Sequence, residues 1–128
     1  MDSSYCFVCG PKNPKSLGFK VFFENGIAKA YYSFAPEYQG WKEVIHGGLI
    51  ATVLDEIMAY AVGQIGPALT THLNVTFRSV LHPHEKVLIT GWIEEQTKRK
   101  AKTRAEMQRL TDNKLIASAE GVSLFIRP

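Results

Sequence analysis

Apolar and polar positions alternate from Leu17, with Phe19, Val21 and Phe23 pointing one way and Lys20, Phe22 and Glu24 the other, which predicts a strand. Asn25-Gly26 then supplies the positive φ angles of a tight hairpin turn, and residues 27–34 read as the returning strand. Near His46 the period changes. Leu49, Ile50, Val53, Leu54, Ile57, Met58, Ala61 and Val62 recur at helical spacing, so the chain predicts one long helix over about 46–65, ended by Gly63 and Gly66-Pro67. Alternation returns at residues 71–77, 87–95, about 98–110 and 115–126, with turn material at Leu81-His82-Pro83-His84-Glu85, near Gln96 and at Thr111-Asp112-Asn113-Lys114. The later connections are too short to cross over, which excludes a parallel βαβ fold. The expected architecture is α+β, an antiparallel sheet of five to six strands wrapped around one long central helix.

Composition narrows the class without naming a ligand. The 128 residues are 45% hydrophobic and 21% charged, enough for one domain over 1–128 to bury a core without metal or disulfide staples. No apolar run approaches the roughly 18 residues of a membrane span. Met1-Asp2-Ser3-Ser4-Tyr5-Cys6 lacks the basic start and apolar run of a signal peptide, so a cytoplasmic protein with no membrane partner is expected. A net charge of +3 is far from the excess of a nucleic-acid binder, and no nucleic-acid partner is expected. The segment Cys6-Phe7-Val8-Cys9-Gly10-Pro11-Lys12-Asn13-Pro14 predicts an irregular leader over 1–16. Its Cys6-x-x-Cys9 is half a zinc site, which His72, His82, His84 or a second subunit would have to complete. A structural turn is the simpler reading, with no metal and no organic cofactor.

Two features of the helical segment carry candidate chemistry. His46-Gly47-Gly48 enters the helix with two glycines in succession, which gives up intrinsic helix stability for close backbone approach. Unpaired N–H groups there can bind an oxyanion or a carbonyl oxygen, although a plain loop-to-helix junction explains the same residues. Asp55 falls on a helix face kept small by Gly48, Ala51 and Ala59, open to a substrate or another backbone. Glu56 falls beside Thr52, Tyr60 and Gly63, where hydrogen bonding to the leader or a loop is the plainer reading. Gly47 and Asp55 are eight residues apart, about 12 Å along one helix, too far to act on one carbonyl carbon. Antiparallel helices from two subunits would bring the Gly47 amide of one to the Asp55 carboxylate of the other, which predicts a dimer with two shared sites.

The run His46-Gly47-Gly48-Leu49-Ile50-Ala51-Thr52-Val53-Leu54-Asp55-Glu56 resembles the helix signature of hotdog-fold acyl-CoA thioesterases of the PaaI-like group. The leader, followed by Leu17-Gly18-Phe19, resembles an N-terminal segment frequent in that group, so the likeness covers nearly the whole chain. The resemblance implies hydrolysis of an acyl-CoA or aryl-CoA thioester, with Asp55 as general base or nucleophile and the Gly47 amide polarising the carbonyl. His46 would shape the loop beside Gly48, and the assembly would be a dimer of dimers. Many members of the group carry Asn or Gln six residues before the histidine, where this chain has Gly40. Gln39 is the neighbouring amide and the candidate to replace it; an exposed loop amide is the equal alternative.

Further candidates concern binding. Thr70 and Thr71 open the strand after the helix and are placed to line an acyl pocket, unless they are simply good strand formers. Alternation puts Lys98, Lys100, Lys102 and Arg104 on one side of a strand. Together with Arg99 and Arg78 this basic stripe suits coenzyme A phosphates, or else protects a solvated sheet face. A non-catalytic acyl-CoA-binding protein is the alternative function, because fold alone does not fix activity.

Overall fold

The structure, a computed structural model in which residues 1–126 are described, contains six strands and one long helix. Strands β1 (Phe22–Glu24), β2 (Ile27–Tyr32), β3 (Ala68–Phe77), β4 (Val87–Gln96), β5 (Lys100–Arg109) and β6 (Leu115–Phe125) form one sheet in the order β1-β2-β4-β5-β6-β3. Every pairing is antiparallel. Helix α1 (Gly47–Gly63) lies across one face and buries Ile50, Val53, Leu54, Ile57, Met58, Ala61 and Val62. The larger of these side chains each contribute about 1.5–3 kcal/mol by leaving water. Among the described residues no helix is long and apolar enough to cross a membrane.

Strand register explains why the helix fits so closely. Ala28 pairs with Gly91, Gly91 with Ala105, and Ala105 with Ala119, so small side chains line up across four neighbouring strands. A Cβ on Gly91 would lie 3.0 Å from the carbonyl oxygen of Ile57 and 3.1 Å from its carbonyl carbon. The helix backbone therefore rests almost directly on β4. Beside this row, Thr103 donates to the Met58 sulfur at 3.2 Å, and a Cβ on Gly121 would meet the Thr103 hydroxyl at 2.7 Å.

The Asn25-Gly26 turn forms as expected, with φ of 52° and 79°. The first strand is shorter than the alternation predicts. Residues 17–21 are held instead by the leader, through Leu17 N–H to the Phe7 carbonyl at 2.7 Å and Phe19 N–H to the Val8 carbonyl at 3.0 Å. Gly18, at φ 68°, turns the chain between these bonds. The second strand stops at Tyr32 rather than 34, and β5 begins at Lys100 because residues 97–100 form a turn closed by Thr97 N–H to the Lys100 carbonyl. Strand β3 begins earlier than expected, at Ala68, and carries an irregularity between Thr70 and His72.

Gly91→Ala is expected to cost about 1–3 kcal/mol by forcing the helix off the sheet. Gly63→Ala, with nothing within 4 Å of the added carbon, leaves stability unchanged or raises it by up to about 1 kcal/mol. Urea denaturation of both variants checks the contrast; equal effects would contradict the close approach at Gly91.

Candidate active site

The loop before α1 is a tightly hydrogen-bonded loop-to-helix junction. Gly40 N–H donates to the Val44 carbonyl at 2.9 Å, His46 N–H to the Tyr38 carbonyl at 3.0 Å, and Ile45 N–H to the Leu81 carbonyl at 2.8 Å. These bonds deliver His46 to the N-cap, where Gly48 N–H donates to its Nδ1 at 2.8 Å. The Nδ1 atom is thus an acceptor, and the histidine shapes the helix entrance. Both glycines have steric reasons. A Cβ on Gly48 would sit 3.0 Å from His46 Nδ1, and one on Gly47 would meet the Phe77 ring at 3.3 Å. Among the described residues the Gly47 N–H has no acceptor, so it remains a donor at the positive end of the helix dipole.

Asp55 sits in the middle of α1, half-buried, with Oδ1 buried and unpaired among the described residues. Burial raises its pKa, and the Thr70 hydroxyl on β3 partly opposes the rise. A buried acceptor without a donor is costly in a fold that otherwise satisfies its polar groups. Such an oxygen is free to accept a proton from water or to attack an electrophile. Thr70 is thereby brought to Asp55, whereas the Thr71 hydroxyl turns to the Val122 carbonyl at 3.2 Å and to His72 Nδ1 at 3.0 Å. Gly47 and Asp55 stay about 12 Å apart within one chain, as helix rise dictates.

Other expected site residues fall elsewhere. Gln39 donates to the Pro36 carbonyl at 2.6 Å and accepts from Glu43 N–H, so its amide braces its own loop. Glu56 faces away from Asp55 and accepts from the Cys6 thiol, with Sγ 3.7 Å from Oε2. Two members of the basic stripe are paired with neighbours: Arg104 bonds Glu94 at 2.7 Å and Glu120 at 3.3 Å, and Lys102 approaches Glu95 at 3.6 Å. Arg78, Arg99 and Lys100 are exposed and have no acidic partner among the described residues. Phe77, which covers Gly47, escapes sequence reading because only the fold brings it to the helix entrance. Trp41, 86% exposed at the tip of the preceding loop, is a second residue that spacing alone does not single out.

An acid whose pKa is higher folded than unfolded binds more protons folded between those values, so stability falls as pH rises through that window. Ionised Asp55 therefore weakens the fold at neutral pH, and the penalty disappears below the unfolded carboxylate range. Asp55→Asn is expected to raise Tm at pH 7, with the gain closing as pH falls below about 4. A variant no more stable than wild type at pH 7 would contradict the cost assigned to the buried carboxylate.

Comparison with known proteins bears on this arrangement. The sequence model described as Thioesterase superfamily matches residues 42–116, which include the end of the loop, the whole helix, β3, β4, β5 and the start of β6. Acyl-coenzyme A thioesterase THEM4 of Bos taurus is 26% identical over 116 residues, 88% of this chain and 48% of that protein. The chain thus spans about half the length of this curated relative. Zebrafish thioesterase superfamily member 2 has a similar structure, with TM-score 0.82, 19% identity and coverage of 97% of this chain and 94% of that one. The Escherichia coli PaaI protein from the phenylacetic acid degradation operon gives TM-score 0.81 at 21% identity, covering 88% of this chain and 83% of its own. With the family match spanning more than half the sequence and the sheet-wrapped helix of the hotdog fold, the chain belongs to the Thioesterase superfamily.

Proposed function

We propose that this protein hydrolyses an acyl-CoA or aryl-CoA thioester to the free acid and coenzyme A, in a site shared between two copies of the chain. The observation that carries the reading is Asp55: a carboxylate whose Oδ1 is buried and unpaired, on a helix whose first N–H is free. Asp55 acts as base for the attacking water or as the nucleophile, and the Gly47 N–H of the other copy receives the developing negative charge on the thioester oxygen. His46 holds the helix entrance, Gly48 leaves room for its ring, and Thr70 orients the carboxylate. The aryl-CoA option draws on the description of the E. coli relative, and the acyl-CoA option on that of the bovine one.

The shared site follows from distance and from an uncovered edge. Within one chain the two groups are too far apart, and β3 ends the sheet with ten residues whose outer edge has no neighbour among the described residues. Leu73 and Phe77 point to the helix side of that strand, opposite Gly121 and Ala117, and remain 44% and 53% exposed. A long edge strand with exposed apolar side chains calls for a cover. A second copy placed there by a twofold axis would bury this row and lay its helix against Gly47 and Asp55. Pairing of two such dimers, residence in the cytoplasm and contacts of Arg78, Arg99 and Lys100 with coenzyme A phosphates belong to the same reading. Thr71 and Glu56 lie further from the reacting groups, as subsidiary contacts.

A second reading, acyl-CoA binding without hydrolysis, is favoured by one observation: Gln39 is committed to Pro36 and Glu43, leaving no side-chain amide at Gly40. Release of free thiol from short, medium and aryl acyl-CoA thioesters separates the two. The hydrolase predicts turnover on at least one class and a fall of about 10²–10⁴-fold in Asp55→Asn with the fold intact. Saturable binding with no thiol release would establish the second reading.

A further inference from the structure

One helical step of about 100° from Asp55, α1 carries a cluster that takes no part in the chemical step proposed for the thioester. The thiols of Cys6 and Cys9 and the carboxylate of Glu56 converge there, with their ligand atoms all within 4.8 Å of one another. The leader is built to present both sulfurs together. Gly10 N–H closes a turn on the Cys6 carbonyl at 2.7 Å, and Lys12 N–H donates to the Ser4 carbonyl at 2.8 Å. A Cβ on Gly10 would lie 2.6 Å from both the Cys6 and the Ser4 carbonyl oxygens, so only glycine permits this turn. Asn13 fastens the outer part by donating to the Tyr5 carbonyl at 3.0 Å and accepting from Lys15 N–H at 2.9 Å. Val8 is buried between the cysteines and anchors the turn to the core.

We propose that Cys6 Sγ, Cys9 Sγ and one Glu56 carboxylate oxygen form a binding site for a thiophilic divalent cation of the zinc class, with its fourth position open to the adjoining cleft. The cleft has a volume of about 610 Å³ and is lined in part by Cys6, Cys9, Glu56, Tyr60 and Thr70. The spacing fits tetrahedral coordination. Zinc–sulfur and zinc–oxygen bonds of about 2.3 and 2.1 Å place the sulfur roughly 3.6 Å from the oxygen. Cys6 Sγ already stands 3.7 Å from Glu56 Oε2. Two cysteines separated by two residues, with a third ligand from a distant element, are a familiar way to hold zinc. The third ligand is Glu56 and not one of the histidines that the sequence offered; His82 Nδ1, for instance, faces the Glu43 carbonyl at 2.6 Å.

Two thiols and a carboxylate held within 4.8 Å of one another crowd negative charge once the thiols ionise, and a divalent ion offsets it by meeting two thiolates and a carboxylate with positive charge. Uptake replaces two S–H bonds by two sulfur–metal bonds and releases two protons, with no change of oxidation state. The bound ion would clamp the leader to the second half of α1, beside the cleft.

The test is zinc titration of the full chain, stripped with a chelator and kept reduced by a phosphine, in competition with a chromophoric chelator; cobalt is the spectroscopic probe. One zinc per chain is expected, with thiolate-to-cobalt charge-transfer absorption. Cys9→Ser removes that absorption, and Glu56→Gln, which keeps both cysteines, weakens zinc binding by more than about tenfold. If the serine variant fails to fold, the glutamine variant and the wild-type cobalt spectrum decide the matter. A fully reduced wild-type chain that takes up no stoichiometric zinc, or a folded Cys6→Ser/Cys9→Ser chain that binds it as well as wild type, overturns the proposal.

Discussion

The close seat of the helix on the sheet is the constraint from which the other features follow. With Ala28, Gly91, Ala105 and Ala119 in one row, α1 sinks until the Ile57 backbone touches the position of a β4 side chain. That depth leaves little room for water along the helix and brings Asp55 within reach of Thr70 on β3. It also stations Phe77 over Gly47. A shallower helix would leave Asp55 hydrated and its pKa ordinary, because desolvation is the larger cause of its shift.

The same helix presents different chemistry on two sides. Asp55 and Glu56 are adjacent in sequence, but a helical step of about 100° separates their directions. One carboxylate is left with an unpaired oxygen beside small residues, and the other closes on the thiols of the leader. The small-residue side is where a second chain and a substrate would approach, while Glu56 meets Cys6 and Cys9 of the leader beside an open cleft. Under the proposed mechanism stability and activity would pull against each other at Asp55, since the desolvation that would sharpen the carboxylate also weakens the fold.

Much of this was legible in the chain. The helix announced itself by eight apolar residues at its period, and Asn25-Gly26 marked the hairpin because few other pairs accept two positive φ angles. The first strand misled, because alternation over residues 17–21 looks the same whether the partner is a strand or a leader held by Phe7 and Val8. The acidic neighbours of the basic stripe are hidden from the sequence for a related reason. The irregular pairing between Ile93 and Glu95 sets Glu94 and Glu95 beside Arg104 and Lys102, and no spacing rule within one strand reveals a neighbour's bulge. Glycine spacing singled out Gly47 and Gly48, but the reasons differ: one faces Phe77 thirty residues on, and the other yields to its own capping histidine. The thiol–carboxylate cluster joins residues fifty positions apart and belongs wholly to the fold.

The central claim, a site assembled from Gly47 of one copy and Asp55 of another, is tested most directly by complementation. Gly47→Pro removes the N–H at the first helical position, where His46 at φ −59° and ψ 128° already has a backbone compatible with proline and the half-exposed Phe77 side chain must shift to admit the ring. Asp55→Ala removes the carboxylate. Each variant alone should be inactive in thioester hydrolysis, and their co-expressed mixture should recover about a quarter of wild-type activity, because half the dimers are mixed and each has one intact site. Mixed dimers that form and show no recovery, or a Gly47→Pro protein that turns over like wild type, would contradict the account.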